Sequence, residues 1–544
     1  MKTRFVGIAV IAFLILSSCS GEPAVPVQTD AVSETTAATT PEIIYSDDCK
    51  ADIEYFAISG ENRFMVSPIE YAIDSENGVL SVDISYDSYV NIYTLENCII
   101  DISVTDGEYS VGESLNPDGT VDLTRLTEII LTDGQGLHKK YDVVTERTVH
   151  QLPIVNIYTE NTAGIDSIDR YEYTDMFFFI DAAGAEGFSS TEVMSGRLRG
   201  RGNSTWLWEK KPFRIKLDES ISVLGLEKNR DWILLANYCD KSFLRNIIAY
   251  RMGHILDGLS WTPTQYPVDL FFNGEYQGVY TIGEHMEVGS GRVNIDESDD
   301  IGTGYLLEVG GTYEGEERSK YYFNTAMEMA LRIVIQSPKE DVITDQQREY
   351  IEDYVNKAEE AIVSGVGYQE YIDVDSFIDW ILIHELTYNL DSCFRRSCFM
   401  TKDKGGKLQM GPVWDFDIAF GNCDVDNQDY DDWVTVGDSY DFNESYVTVN
   451  WCNYLMDDSS FRQRLRERWS EVRVALLEEA MSSIDHYSEK IYASQEENFK
   501  VWQIWDERVG LESERNAEYN TYELQIQYLK DFINMRADWI DNNV

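Results

Sequence analysis

The chain has 544 residues, 97 acidic against 44 basic, and a formal net charge of −53. Acidity this strong repels nucleic-acid phosphates and anionic lipid surfaces, so nucleic-acid binding is not an expected role, while divalent cations and solubility are favoured. The length exceeds what one core usually organises, so two to three domains are expected.

Lys2 and Arg4 precede an apolar stretch over 5–16 and then Leu16-Ser17-Ser18-Cys19. This reads as a secretory signal peptide over 1–18, too short to span a bilayer, which takes roughly 20 apolar residues. The sequence around Cys19 looks like a bacterial lipobox, in which that cysteine becomes the first mature residue and carries the lipid; ordinary cleavage with Cys19 incidental is the competing reading. The expected address is extracytoplasmic, with the protein lipid-anchored to the cell membrane and otherwise soluble. Residues 19–48, rich in Thr, Ala, Ser, Pro and Glu, read as a disordered tether.

Beyond Cys19, Cys49, Cys98, Cys239, Cys393, Cys398, Cys423 and Cys452 are an odd, scattered set, with no disulfide framework in their spacing. Cys393 and Cys398 have no matching second pair and His384 stands alone on a predicted helix, which disfavours zinc. Mostly buried thiols are expected, with room for one or two bridges in an oxidising compartment.

Over 49–148, alternating segments at 80–86, 97–104 and 126–132 between Asn-Pro-Asp-Gly and Asp-Gly turns predict a β-sandwich, a spacer or adhesion module without clustered catalytic side chains. From 150 to 425 strands mix with helices. Strands are predicted at 154–158, 176–180, 212–217, 232–235, 268–272, 277–282 and 305–309. Helices are predicted at 241–256, 344–364 and 374–388, with Asp240 and Asp373 where N-caps are wanted. Segments 460–481, 487–505 and 511–540 make 426–544 a helical C-terminal region, either a third domain or the end of the second. The expected fold is therefore multidomain.

The chemistry-bearing stretch starts at Asp391, just after an apolar helix. A hairpin predicted over 397–413 follows, and then Asp415 and Asp417. Carboxylates gathered this way suit phosphoryl transfer, one orienting or deprotonating the acceptor hydroxyl and others holding Mg²⁺. An Asp-x-Asp after a strand is also a common turn or calcium ligand. Upstream, Arg199-Gly200-Arg201-Gly202-Asn203-Ser204-Thr205-Trp206 offers a phosphate cradle or simply a tight turn. Lys210-Lys211-Pro212-Phe213-Arg214-Ile215-Lys216 is the main basic patch, with Arg214 and Lys216 on one strand face.

Together with Asn273-Gly274-Glu275-Tyr276-Gln277-Gly278-Val279-Tyr280, Glu284 and the run from Gly411 to Asn422, these motifs resemble the spore-coat protein H (CotH) kinase family across about 150–425. The resemblance implies an α+β atypical protein-kinase-like domain that binds ATP with Mg²⁺ or Mn²⁺ and phosphorylates protein serines, notably in spore coats. It implies Asp391 as the catalytic aspartate and Asp415 as a metal ligand, with Asp417 a neighbouring ligand or structural. Lys216, or alternatively Lys211, pairs with the nucleotide phosphates, and Arg201, Gly202, Asn203, Ser204 and Glu284 belong to the nucleotide site. Asp240 and Arg245 support the site or only cap and solvate a helix. One departure stands out: where a spore-coat kinase has an asparagine five residues after the catalytic aspartate, this chain has Arg396, preceded by Arg395. An arginine cannot bind a cation, but it can contact a phosphate.

Three functions remain in contention: a protein Ser/Thr kinase acting on a protein substrate or itself, a catalytically silent kinase-like surface scaffold or adhesion lipoprotein with a protein partner, and a secreted carbohydrate-active enzyme. The last rests on 12% aromatic residues and abundant carboxylates, with no particular pair standing out.

Overall fold

The computed structural model describes residues 43–59, 69–84, 95–147, 150–160, 163–182, 185–310, 321–327, 329–392, 394, 396–423, 429–436 and 449–544. The expected signal peptide, Cys19, most of the tether, Cys393 and Arg395 lie outside the described residues. Among the described residues no helix is long and apolar enough to cross a membrane.

The described residues of the N-terminal part form seven strands: β1 (Ile53–Ser59), β2 (Glu70–Asp74), β3 (Val79–Ile84), β4 (Ile99–Val104), β5 (Glu108–Ser110), β6 (Glu128–Thr132) and β7 (His138–Arg147). β1 pairs with β4, and the others form a sheet in the order β2-β3-β7-β6-β5. Alternate residues point inward, Leu80, Val82 and Ile84 on β3 and Ile129 and Leu131 on β6, and they join Phe56 of β1 in one core.

Seven strands then close a barrel: β8 (Ile154–Thr159), β9 (Thr174–Asp181), β10 (Met194–Gly200), β11 (Phe213–Ile221), β12 (Asn229–Leu235), β13 (Gln265–Phe272) and β14 (Glu275–Glu284). Their order is β10-β11-β12-β14-β13-β8-β9, antiparallel except where β13 meets β8. Inward residues such as Ile157, Phe178, Leu198, Ile215, Trp232 and Leu270 fill it. Closure leaves no unpaired edge, and neither it nor β10 was anticipated from the sequence. The Asn273-Gly274 pair makes the tight turn between β13 and β14.

A second antiparallel sheet, ordered β16-β17-β15-β18-β19, comprises β15 (Tyr305–Val309), β16 (Tyr322–Asn324), β17 (Arg332–Ser337), β18 (Cys398–Lys402) and β19 (Leu408–Met410). Around it pack α1 (Arg245–Gly253), α2 (Asp345–Ser364), α3 (Val374–Thr387), α4 (Trp451–Asp457), α5 (Ser459–Val501), α6 (Glu514–Ala517) and α7 (Tyr522–Asn543). α2 starts at a capping box between Thr344 and Gln347, and the Asp373 side chain caps α3 as its sequence position suggests.

Two expectations are corrected. The helices expected at 460–481 and 487–505 are one helix, α5, because no glycine or proline interrupts 459–501. The helix expected over 511–540 is divided, with Thr521 capping α7 after the short α6. The C-terminal helices do not make a core of their own: Trp451, Leu465, Leu476 and Ile533 share one with Ile381 of α3 and Met400 of β18. α5 also lies along β14, where the Asn498 side chain accepts the Val279 N–H at 3.0 Å. A side chain at Gly278 would collide with it, a Cβ there falling 2.4 Å from Asn498 Oδ1. This close approach explains one glycine of the 273–280 motif.

Five of the six described cysteines, Cys98, Cys239, Cys398, Cys423 and Cys452, are buried. His384 is buried on α3 between Trp380, at 4.4 Å between ring centroids, and Phe416, stacked at 5.1 Å. Neither ring nitrogen has a hydrogen-bond partner. Burial lowers its pKa from 6.5 to about 3. The unfolded chain takes up a proton near pH 6.5 that the folded chain refuses until about pH 3, so this stability is present above pH 6.5 and lost as pH falls through that window. Between pH 7 and pH 4, His384→Leu should therefore lose about 3 kcal/mol less stability than the parent in paired urea titrations. Equal losses in the two proteins would show that the imidazole finds a proton partner in the folded state.

Candidate functional site

The barrel and the second sheet enclose a cavity of 1320 Å³. Of the residues singled out in the sequence, Arg201, Gly202, Asn203, Ser204, Lys216, Asp391, Arg396, Asp415 and Asp417 line it. Elements far apart in the chain thus converge. Lys211 does not line it: its ammonium donates to the Trp206 carbonyl at 2.8 Å and sits over the Trp206 ring. Glu284 does not either. Its carboxylate accepts the Thr264 N–H at 2.8 Å at the end of β14, and burial raises its pKa despite that bond and Arg292. Between the two candidate lysines, geometry selects Lys216, whose Nζ is 3.6 Å from Asp231 Oδ2 on β12. Arg214 shares that carboxylate, donating from Nε and Nη2 to Oδ1 at 3.1 and 2.9 Å.

The 201–206 segment is a turn as well as a wall. Gly202 has φ +84, and a Cβ there would strike Thr205 Oγ1 at 2.0 Å. Asn203 accepts from Arg170 Nη2 at 2.6 Å, which fixes the mouth of the turn.

The acidic side is held from behind by α1. Asp415 has φ +63, a sparsely populated conformation for a residue other than glycine. Its N–H donates to Tyr250 O–H at 3.3 Å, its carbonyl accepts from Asn389 Nδ2 at 3.0 Å, and the next N–H, of Phe416, donates to Asn246 Oδ1 at 2.8 Å. Asn246 and Tyr250 are four residues apart on α1 and so share a face. Asn389 also accepts the Asp391 N–H at 3.2 Å, coupling the two aspartates. Asn246, Tyr250 and Asn389 were not singled out in the sequence; an Asn and a Tyr at helical spacing were the available signal.

Electrostatically the cavity is divided. Burial raises the pKa of Asp415, against the opposing charge of Arg201 and hydrogen bonds with Asp417 and Ser397. Burial pushes Asp417 well above the usual carboxylate range, and the charges of Asp415 and Asp391 add to this. On the other side, desolvation holds His285 neutral, reinforced by Arg214, Arg201, Arg292 and Lys339. Among the described residues no group of three or more His, Cys, Asp and Glu side chains is arranged to hold a metal. The Asp415 and Asp417 pair nevertheless has the chemistry of a Mg²⁺ or Mn²⁺ site, since Mg²⁺ is commonly bound by one or two carboxylates together with substrate phosphates. Two desolvated carboxylates beside a third need positive charge.

Asp240 has a different role from the cap expected of it. α1 begins at Arg245, and the buried Asp240 accepts the Arg245 N–H at 2.9 Å and its guanidinium at 2.5 Å. Arg245 Nη2 reaches Asn516 at 3.0 Å, Asn516 donates to Asn422 at 2.8 Å, and Asn422 donates to the Asp417 carbonyl at 2.8 Å.

The family model described as CotH kinase protein matches residues 198–540. No curated protein matches the chain significantly. The match covers more than half of the chain, and it runs through the helical region that shares its core with the cavity. The chain belongs to the CotH kinase family.

Arg245→Met should cost about 3–5 kcal/mol in urea denaturation, because it leaves Asp240 buried without its partner. Pairing it with Asp240→Asn should restore part of that loss. Asp417→Asn should raise the thermal midpoint by a few degrees at pH 7, since it relieves like-charge crowding, and should abolish any stabilisation by Mg²⁺ or Mn²⁺. A lowered midpoint with the metal response intact would remove Asp417 from the cation site.

Proposed function

We propose that this chain is an atypical protein kinase that transfers the terminal phosphate of ATP to serine or threonine hydroxyls of a protein, itself included. In this reading it works at an extracytoplasmic surface, lipid-anchored through Cys19 and spaced from the membrane by its tether and N-terminal β module. The observation that carries the proposal is the meeting of Asp391, Asp415 and Asp417 with Arg201 and Lys216 across one cavity. Catalysis of phosphoryl transfer is mostly positioning and charge stabilisation, which such a divided cavity supplies.

Asp391 orients the acceptor hydroxyl and takes its proton as the oxygen bonds to the terminal phosphorus and the bond to the bridging oxygen of ADP breaks. Arg201 and Lys216 hold phosphate oxygens, with Asn203 and Ser204 at the phosphate end. Asp415 and Asp417 hold the divalent cation, which supplies neutralisation of phosphate charge when bound. The strained Asp415 backbone, clamped by Tyr250, Asn246 and Asn389, keeps that carboxylate from turning away.

A second reading, a silent scaffold, is favoured by Arg396, which lines the cavity where the resemblance calls for an asparagine, and by the scarcity of ATP outside cells. Labelled ATP with Mg²⁺ or Mn²⁺, added to the purified mature protein, separates the two. Label should appear on protein, fall by about 10²–10⁴-fold in Asp391→Asn, and vanish in Asp415→Ala. Nucleotide binding without label would favour the scaffold; neither binding nor label would end the kinase reading.

A further inference from the structure

The outer face of the barrel carries more positive charge than a nucleotide needs. In the β10–β11 pairing Arg197 stands opposite Lys216 and Arg199 opposite Arg214. The residues between them, Leu198 and Ile215, fill the barrel, so these four cations share the outward face that lines the cavity. Like charges directly opposite on a sheet are destabilising. Here two such pairs lie side by side, and Arg170 and Arg201 extend the cluster along the same wall.

Compensation from within the chain is small. Asp231 serves both Arg214 and Lys216. Asp175 faces Arg197 from β9, but among the described residues Arg170, Arg197 and Arg199 make no ion pair. Arg197 and Arg199 instead lie over the Tyr173 ring at 4.9 and 5.5 Å, and Arg199 donates to the Arg170 carbonyl at 2.9 Å. Aromatic stacking orders the guanidinium groups and leaves their charge unneutralised. In a chain of net charge −53, an arginine cluster maintained at a cost to the sheet is a recognition surface.

The nucleotide does not account for it. A metal-bound triphosphate arrives with part of its charge already neutralised, and the kinase reading assigns the rest to Arg201 and Lys216. Ligand sites typically occupy about 300–1000 Å³, whereas this cavity measures 1320 Å³. The cavity thus exceeds a usual ligand site, and Arg170, Arg197 and Arg199 line it in addition to Arg201 and Lys216.

We propose that this arginine stripe seats an anionic segment of the acceptor polypeptide, bearing carboxylate or phosphate groups, and so presents a neighbouring hydroxyl to Asp391. The proposal rests on the kinase reading for the word acceptor, and on the stripe alone for anionic. Guanidinium forks match carboxylate and phosphate bidentately. A short anionic peptide can meet the stripe alone, whereas a nucleic acid would run on over the acidic surface around it.

The test is fluorescence anisotropy with the full mature protein and no nucleotide. The probes are a Ser-containing peptide flanked by glutamates, the same peptide flanked by phosphoserines, its lysine-flanked counterpart, and a single-stranded oligonucleotide. ATP affinity is measured separately, and thermal unfolding checks that the Arg197→Gln/Arg199→Gln variant is folded. The expected result is binding of one or both anionic peptides, weakened by salt and at least tenfold weaker in the double variant, with ATP affinity changed less than twofold. Which flank binds tighter identifies the anion. Absence of anionic-peptide binding, or equal binding in the variant, overturns the proposal, and tighter binding of the oligonucleotide through the same arginines overturns the choice of polypeptide. Peptide binding in a protein that binds no ATP removes the acceptor role and points to the failure of the kinase reading instead.

Discussion

Asp240 and Arg245 are both buried, and neither is tolerable there without the other. Their pairing explains much of what surrounds the cavity. Arg245 has donors left over, and Asn516, Asn422 and the Asp417 carbonyl satisfy the next links in turn. Beside it Lys241, also buried, pairs with Glu512 at 2.9 Å. A third buried pair, Arg536 with Glu385 at 3.1 Å, ties α7 to α3. The Lys241–Glu512 and Arg536–Glu385 pairs join the cavity-forming part of the chain to its last hundred residues, so removing the C-terminal helices would strand charges in the interior. That is why the helical region is not an appendage, and why the family match extends to residue 540.

The same network places the acidic turn. The first turn of α1 carries Arg245 into the charge network, and the next residues carry Asn246 and Tyr250 to the backbone of Asp415 and Phe416. Stability from the network thus holds a strained residue and three crowded carboxylates that would be more stable apart. Phe416 turns away from the cavity onto His384, which anchors the turn in the core. The opposite wall repeats the pattern with the sign reversed, as like charges on β10 and β11 are held together by the barrel. Both walls are locally unfavourable arrangements maintained by the packing behind them, and this is where a ligand of either sign gains most from binding.

The sequence made the site more legible than the fold. Asp391, Asp415 and Asp417 could be read because carboxylates around a predicted hairpin have few structural uses, and strand period put Arg214 and Lys216 on one face. Lys211 and Glu284 were drawn in by their neighbours, since proximity along the chain cannot show that a lysine folds back onto Trp206 or that a glutamate caps a strand end. Asn246, Tyr250 and Asn389 escaped because their work is done on backbone atoms distant in sequence. In the fold, helix limits set by local caps, as at Thr344 and Asp373, were readable. Barrel closure was not, because the β8 to β13 pairing joins residues more than a hundred positions apart. Nor was the continuity of the core into the C-terminal helices, since amphipathic helices look alike whether they pack on each other or on a sheet.

Arg396 can be weighed by charge balance. Three carboxylates, Asp391, Asp415 and Asp417, face the cavity; burial pushes Asp415 and Asp417 toward protonation, and the charges of Asp415 and Asp391 push Asp417 further. A second divalent cation would want an oxygen ligand where the resemblance places an asparagine. An arginine supplies a fixed positive charge at that point instead. Its backbone N–H faces the Asp391 carbonyl at 3.4 Å, so the substitution stands on the same turn as the proposed base. If phosphate is transferred here, Arg396 takes over neutralisation that a second metal performs elsewhere, as arginines do at other phosphoryl-transfer sites. The departure from the family pattern therefore replaces a bound divalent ion with a single fixed side-chain charge on the turn that carries Asp391.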